Sequence, residues 1–184
     1  MQDAIEIVPY RSEWTHQFEE EKRLLLQAIG EEAHAVEHVG STSIPEQEAK
    51  PIIDIFVGVT PLRDEAYYSS LLDPENYVAV KTGMKDRHLF QKKHNGIWTH
   101  NIHILPYDGR FYLRNEILLR DYLRKHPELV RKYGELKRSA ARHAGSRMEA
   151  YTKAKTEFIQ QVVDAAREEK GLPLEDVWTN EPKR

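Results

Sequence analysis

The first hydrophobic positions of the chain predict a short strand followed by a helix. Ile5 to Pro9 is a brief extended run. After it, apolar residues recur at spacings close to one face of a helix, at Trp14, Phe18, Leu25 and Ile29. Ser12 is a suitable N-cap and Gly30 a suitable stop, so we expect a helix between them.

Two strands are expected after this helix. Ala33 to Val39 alternates apolar with polar residues, which is typical of a strand. Pro51 to Val59 is β-branched and nearly all apolar, with Asp54 as its single carboxylate. Such a run is typical of a central strand buried on both faces. The pattern therefore predicts an interior strand that carries an acid.

The remaining pattern extends the sheet and then changes to helix. Pro61 to Leu72 has helical spacing, and further strands are expected at Tyr77 to Val80, Leu89 to Lys92 and Asn101 to Leu105. His94-Asn95-Gly96 between the last two strands is a hairpin signal. From Phe111 the pattern predicts two or three helices, broken near Pro127 and Gly145 and ending at Gly171, with a frayed tail from Thr179 to Arg184.

This order of elements predicts a single α+β domain over residues 1–184. A mixed β-sheet with helices is expected over about residues 1–107, and a helical C-terminal part over about residues 111–171. With 40% hydrophobic residues, the chain can form a packed core.

The composition of the chain excludes several classes of protein. The longest apolar runs fall far short of the roughly 20 residues that cross a bilayer. The acidic N-terminus lacks the basic start of a signal peptide. There is no cysteine, which excludes disulfides and thiolate chemistry. We therefore expect a cytoplasmic protein with no membrane partner.

The charges are nearly balanced in number but segregated along the chain. Residues 81–147 hold 16 basic and 6 acidic residues, whereas the remainder holds 11 and 24. A basic block suggests an anionic partner at one face, and solvated, arginine-rich helix faces are the alternative. The pI is about 6.3 and no recognised nucleic-acid-binding motif is present, so we do not expect a nucleic-acid partner.

A turn with three hydroxyl groups follows the second predicted strand. In His38 to Pro45, Gly40 allows the backbone to approach a ligand closely. Ser41, Thr42 and Ser43, with the amides of a following helix start, suit a phosphate. A plain loop can have the same composition, so the motif alone is not specific.

Asp54 requires a partner, because burying a carboxylate in an apolar strand is costly. Metal binding or a general-base role would supply one, and hydrogen bonds to nearby amides or an arginine are the alternative. Lys50 can place a cation near the same strand end. His103 is a candidate metal ligand or acid–base group, although a half-buried structural histidine is the more common outcome for such a residue. His100 and His103 face opposite ways in a regular strand, which disfavours a two-histidine zinc site.

Basic residues near the hairpin are further candidates for phosphate contacts. Arg87 stands just before an extended run, and a guanidinium group suits bidentate phosphate binding. Lys92 lies within that run. No Walker A, GxGxxG or GxSxG motif is present, so P-loop, Rossmann and α/β-hydrolase functions lose their main support.

Taken together, these segments resemble the GrpB family. The resemblance extends from about Ile7 to about Ile159 and rests on motifs in one order along the chain: His38 to Pro45, Ala49 to Ile55, Asp86 to Lys92, Asn101 to His103, Arg120 to Leu123, Tyr133 with Leu136 and Lys137, and Tyr151 with Lys155, Phe158 and Ile159. Such a co-linear set is far more specific than any one of its motifs.

The GrpB family is similar to the nucleotidyltransferase superfamily, whose fold is a mixed sheet with helices. The resemblance implies that Gly40 and Ser41 form a turn that holds nucleotide phosphates. It also implies that Asp54 is the first of two metal-binding carboxylates. The second position is Phe56, and His103 would stand in place of a third carboxylate.

Two functions follow from the resemblance. The first is nucleotidyl or phosphoryl transfer, with Asp54 and His103 as catalytic residues that also bind Mg²⁺ or another divalent metal. The second is a non-catalytic nucleotide- or anion-binding module that supports a protein partner, for example a dephospho-CoA kinase. Phe56 favours the second function and Asp54 the first. In both, the ligand is a nucleotide or similar phosphate-bearing small molecule, bound by Gly40, Ser41, Thr42, Ser43, Lys50, Arg87 and Lys92.

Overall fold

The hydrophobic spacing of the first part of the chain produces the expected helix and strands. The structure, a computed structural model, describes residues 5–179 and 181–183. Trp14, Phe18, Leu25 and Ile29 are buried along helix α1, Glu13–Ile29, which confirms the predicted helix. Strand β1, Ala33–Val39, has the predicted bounds. The apolar run that follows contains strand β2, Ile53–Val59.

The later elements also follow the predicted order. They are helix α2 (Glu65–Leu71), strands β3 (Tyr77–Val80), β4 (His88–His94) and β5 (Ile97–Pro106), and helices α3 (Asn115–Lys125), α4 (Pro127–Ala144), α5 (Met148–Ala154) and α6 (Thr156–Glu169). Asn95 and Gly96 both have positive φ between β4 and β5, as a tight two-residue turn requires. The hairpin prediction is therefore confirmed.

The five strands form one mixed sheet in the order β1-β2-β5-β4-β3. β2 and β5 are parallel, and the other neighbouring strands are antiparallel. β2 therefore lies inside the sheet, where Ile53, Ile55 and Val57 are buried, as its hydrophobic sequence predicted. The α+β class, with a mixed sheet and a helical C-terminal part, is confirmed.

The ends of the chain differ from the predictions. In place of a strand over Ile5 to Pro9, Val8 makes an isolated bridge with Ala49. The described part of the tail is not frayed, since Glu175 bridges to Pro182 and pairs with buried Arg167 at 2.8 Å. The described residues near each end are held by contacts with residues distant in sequence, which the hydrophobic spacing of the sequence does not predict.

The described chain divides into two compact units. The sheet unit consists of Ser12–Ser43 and Pro51–Tyr112, and the helical unit of the described residues up to Arg11, Ile44–Lys50 and those from Leu113 onward. A core cluster of the helical unit contains Ile44, Leu123, Val130, Tyr133, Phe158 and Val162. The boundary after Tyr112 lies close to the expected change from sheet to helix, whereas Ile44–Lys50 groups with the helices.

The helical unit contains one more break than predicted. The last long helical stretch is interrupted at Lys155, which separates α5 from α6. Among the described residues, none of the helices combines the length and hydrophobicity needed to span a lipid bilayer.

Candidate functional site

The parallel pairing of β2 with β5 collects polar side chains on one face of the sheet. Asp54 lies opposite Asn101, and Phe56 lies opposite His103. Side chains two residues apart share a face, so all four project from the same side, which we name the Asp54 face. The Asn101 side-chain amide donates to Asp54 Oδ1 at 2.8 Å. This hydrogen bond orients the carboxylate and offsets part of the cost of its partial burial.

The turn after β1 meets Asp54 directly. Gly40 has φ +70°, and a Cβ at this position would lie 2.4 Å from Asp54 Oδ2. Only glycine combines this backbone conformation with so close an approach. The two segments that the sequence singled out, the Gly40 turn and the Asp54 strand, are therefore in contact.

The hydroxyl groups of this turn help to define its shape. Residues Ser41–Ser43 form one turn of 3-10 helix. Ser43 Oγ donates to the Gly40 carbonyl at 2.6 Å, and Thr42 Oγ1 lies 2.8 Å from His38 Nε2. Thr42 and Ser43 are buried, whereas Ser41 is partly exposed. Ser41 is thus the most accessible of the three predicted phosphate-binding hydroxyls.

Phe56 supports a cation where the resemblance implies a second carboxylate. The Arg87 guanidinium lies over the Phe56 ring, 5.2 Å from its centre. His103 meets the same ring edge-on, with 5.5 Å between ring centres. Arg87 is 6% exposed and pairs with Asp86, its Nε lying 3.2 Å from Asp86 Oδ1. The structure therefore brings Arg87, His103 and Asp54 to one face.

Two residues of this face were not among the predicted site residues. Glu37 of β1 pairs with Phe56 across the antiparallel ladder, so its carboxylate projects from the Asp54 face. Asn101 holds Asp54. Alternation within β1 places Glu37 on one face, but only the strand register shows that this face is shared with Asp54. Sequence reasoning alone therefore did not identify Glu37.

The residues of the Asp54 face do not fit a protein-held Mg²⁺ site. Mg²⁺ requires near-octahedral oxygen ligands. Asp54 and Glu37 place two carboxylates on this face, but one Asp54 oxygen already accepts from Asn101. Phe56 supplies no ligand, and His103 offers a nitrogen. Within residues 5–179 and 181–183, no group of three or more His, Asp and Glu side chains is arranged to hold a metal. The divalent metal that the resemblance implies therefore lacks a matching ligand set here.

Lys92 lies on the opposite face of the sheet. It pairs with His100 across the β4–β5 ladder, and its ammonium group contacts the Glu21 carboxylate of α1. Glu21 is 2% exposed and also accepts from the Tyr77 hydroxyl at 2.5 Å. Burial and the Glu21 carboxylate raise the pKa of Tyr77, and burial lowers the pKa of His100. The structure does not bring Lys92 to the other predicted phosphate-binding residues.

Lys50 belongs to the helical unit. Its Nζ lies 3.5 Å from Met148 Sδ and 5.6 Å from the centre of the Tyr151 ring. The candidate site of the sheet unit contains five of the predicted site residues: Gly40, Ser41, Asp54, Arg87 and His103. Thr42 and Ser43 belong to the same turn, but their side chains are buried.

Comparison with known families and proteins agrees with the resemblance seen in the motifs. Residues 4–165 match the model of the family described as GrpB protein. The chain is 33% identical over 164 residues to UPF0157 protein YqkA of Bacillus subtilis strain 168, covering 89% of this chain and 47% of that protein. The chain thus spans about half the length of this relative.

Solved structures agree at the level of fold. The crystal structure of conserved protein GrpB from Enterococcus faecalis superposes with a TM-score of 0.82 at 30% identity, covering 90% of this chain and 99% of that one. Terminal uridylyl transferase 4 from Trypanosoma brucei with bound CTP superposes with a TM-score of 0.54 at 18% identity, covering 91% of this chain and 56% of that one. The second similarity establishes a nucleotidyltransferase-like fold.

Proposed function

The chain belongs to the GrpB family, and from this premise we propose that it binds a nucleotide or similar phosphate-bearing small molecule on the Asp54 face. The observation that carries the proposal is the Arg87 guanidinium stacked on Phe56, beside Asp54 and the Gly40 turn. A guanidinium group held by an aromatic ring is pre-organised for bidentate phosphate contacts. The fold shared with a uridylyl transferase that binds CTP supports a nucleotide as the ligand.

Each element of the face has a distinct role in this proposal. Arg87 neutralises phosphate charge. Ser41 and the backbone of the Gly40 turn donate hydrogen bonds to phosphate oxygens. The Asp54 carboxylate accepts from a hydroxyl group of the ligand, such as one on a ribose. His103, which packs against Phe56, borders the bound molecule.

Binding, rather than group transfer, is the activity that the side chains support best. Phe56 replaces a carboxylate with an apolar ring that carries a cation, which favours recognition of an anion over ligation of a second metal ion. We therefore propose a nucleotide-binding module that recognises its ligand without a divalent metal and serves a protein partner.

Calorimetry and thermal shift with nucleoside triphosphates and CoA precursors test this proposal. We expect at least one of these ligands to raise the Tm at millimolar concentration, equally in EDTA and in MgCl₂. Arg87→Lys keeps the charge but removes the planar donor pair, so affinity falls about tenfold. Asp54→Asn retains an acceptor for Asn101, and we expect it to lower the affinity for ligands that carry a sugar.

The matched control is Arg23→Lys, since Arg23 is exposed on α1 of the same unit. It should leave nucleotide affinity unchanged. If no nucleotide or CoA precursor shifts the Tm, or if Arg87→Lys and Arg23→Lys behave alike, the proposal is wrong. A strict requirement for Mg²⁺ would contradict its metal-independent form.

A further inference from the structure

A cavity of about 460 Å³ lies between α1 and the end of α2, within the sheet unit. We name it the Leu24 cavity. Its apolar lining residues are Leu24 and Ala28 from α1, with Leu71 and Leu72 from the end of α2. Tyr77 and Lys92, a cross-strand pair of β3 and β4, line it from the sheet. Because Lys92 lies on the face opposite to Asp54, this cavity is distinct from the candidate site described above.

The size and lining of the Leu24 cavity suit a small molecule with an apolar body. Small-molecule sites typically measure roughly 300–1,000 Å³ and combine mostly apolar walls with a few polar groups. Leu24 is 37% exposed, which is a large value for a leucine in a helix that packs on a sheet. A ligand in the cavity would remove this apolar surface from water.

Lys92 brings a positive charge to the cavity, but this charge is already matched. Its ammonium group contacts the carboxylate of buried Glu21. The same ammonium group lies over the Tyr77 ring, 5.2 Å from its centre. A ligand therefore meets a neutral pair at this position, and an anion would face the Glu21 carboxylate behind the lysine.

Asp73 brings a negative charge whose partners are neutral groups. Its Oδ1 accepts from the Glu75 backbone N–H at 3.0 Å, and its Oδ2 accepts from Asn76 Nδ2 at 2.5 Å. Within residues 5–179 and 181–183, no lysine, arginine or histidine side chain forms a salt bridge with Asp73. A carboxylate can accept about four hydrogen bonds, so capacity for a further donor remains. The charged lining residues thus leave one negative charge without a counter-charge.

The Asp73 charge acts inside the cavity as well as at its rim. Burial first, and then the Glu21 carboxylate, raises the pKa of the Tyr77 hydroxyl, and the Asp73 charge adds to this rise. Since Tyr77 lines the cavity, a ligand that lies against its ring is also within reach of the Asp73 charge.

We propose that the Leu24 cavity binds an organic cation, a primary ammonium group carried on an apolar body. The ammonium group donates a charge-assisted hydrogen bond to Asp73, and the body packs against Leu24 and Leu71. A ligand that ends in a carboxylate would be repelled by Asp73, and an uncharged ligand would lose the charge-assisted bond. The inference does not depend on the ligand proposed for the Asp54 face.

Titration of the full chain with phenethylamine, followed by amide NMR spectra, tests the proposal. Phenethyl alcohol and hydrocinnamate keep the same ring and chain but end in a neutral and an anionic group. We expect phenethylamine to bind at millimolar concentration and to shift the amide signals of α1 and of residues 71–77. Phenethyl alcohol should bind about fivefold more weakly, and hydrocinnamate at least about tenfold more weakly.

The role of the carboxylate is tested by Asp73→Asn, which removes the charge but retains an acceptor for the Glu75 amide. It should weaken phenethylamine about tenfold and phenethyl alcohol less than about twofold. The matched control is Asp64→Asn. Asp64 is also exposed and accepts from a backbone amide, that of Tyr67 at 2.9 Å, but it does not line the cavity. This control should leave both affinities unchanged.

The role of the apolar lining is tested by Leu24→Gln. It should weaken phenethylamine and phenethyl alcohol alike, by about fivefold, because apolar contact area is lost from both. Leu26→Gln is the matched control, since Leu26 is 39% exposed on the same helix but lies outside the lining. It should leave the two affinities as they are in the wild type.

Three results would each overturn the proposal. The first is that phenethylamine shifts no amide signal of α1 or of residues 71–77. The second is that hydrocinnamate binds as tightly as phenethylamine. The third is that Asp73→Asn and Asp64→Asn have equal effects, which would mean that any binding at the cavity is apolar and does not select a cation.

Discussion

The two units stabilise a buried ionisable side chain through different contacts. In the sheet unit, the Glu21 carboxylate is matched by the Lys92 ammonium and the Tyr77 hydroxyl. In the helical unit, Lys137 is buried near two further lysines. The Glu21 carboxylate meets an ammonium group and a hydroxyl group, whereas the Lys137 amine contacts the Glu48 backbone carbonyl and the Tyr133 ring. The difference teaches that a buried carboxylate can be held by an opposite charge, whereas a buried lysine can be held by a carbonyl oxygen and the face of an aromatic ring.

The largest loss of stability is expected when the Glu21 carboxylate is removed from its contacts with Lys92 and Tyr77. Glu21→Ala leaves the Lys92 ammonium, whose side chain is 17% exposed, without its buried counter-charge. We expect a loss of about 3 kcal/mol in the free energy of unfolding, measured with urea. Glu20→Ala is the control, because Glu20 is exposed on the same helix, and should cost less than about 0.5 kcal/mol. A loss of under about 1 kcal/mol for Glu21→Ala would show that the pair contributes little.

An intermediate effect is expected at the partly buried carboxylate of Asp54, which accepts from the Asn101 amide and lies close to the Gly40 backbone. Gly40→Ala forces a Cβ to within 2.4 Å of Asp54 Oδ2 at φ +70°. We expect a loss of about 2 kcal/mol in unfolding free energy. Gly96→Ala isolates the backbone contribution, since φ is +77° there and nothing lies within 4 Å of the added Cβ. Equal costs for the two variants would contradict the close contact with Asp54.

The smallest effect on stability is expected at Lys137. Replacing a buried ionisable side chain by an apolar side chain of similar volume is often neutral or stabilising, so Lys137→Met should change the unfolding free energy by no more than about 1 kcal/mol. A loss as large as that of Glu21→Ala would mean that the lysine is structural.

The pH dependence of stability tests whether the pKa of Lys137 is lowered in the folded chain. The pKa of Lys137 is lowered in the folded state, so the unfolded chain binds more protons between the lowered value and 10.5. Stability therefore rises with pH across that window. Urea midpoints of the wild type and Lys137→Met, compared over the same pH range, should show a smaller rise in the variant. Parallel curves would contradict the lowered pKa.

Local patterns in the sequence predicted most of the sheet unit. The alternation of Ala33–Val39, the apolar run around Asp54 and the Asn95-Gly96 turn each specify their own structure. The position of Glu37 was not predictable, because strand register is a long-range property. Lys92 was assigned to phosphate for its charge, but the pleat turns it toward Glu21.

The helical unit was harder to predict from the sequence. The prediction has no break between Gly145 and Gly171, yet the helix breaks at Lys155. A lysine in a sequence is normally assigned to the surface, so burial of Lys137 was not expected. Only the tertiary arrangement brings Lys50 and Lys155 toward it. The spacing of the sequence therefore does not predict that these three lysines lie near one another.

The helical unit draws on a short segment, Ile44–Lys50, that interrupts the sheet unit between β1 and β2. This segment supplies Ile44 to a core cluster, and Lys50, whose ammonium group lies over the Tyr151 ring. A recombinant exchange of everything after Tyr112 would therefore transfer the helices without two of their partners. In evolution as in protein engineering, the two units must be inherited together, because no single crossover point separates them.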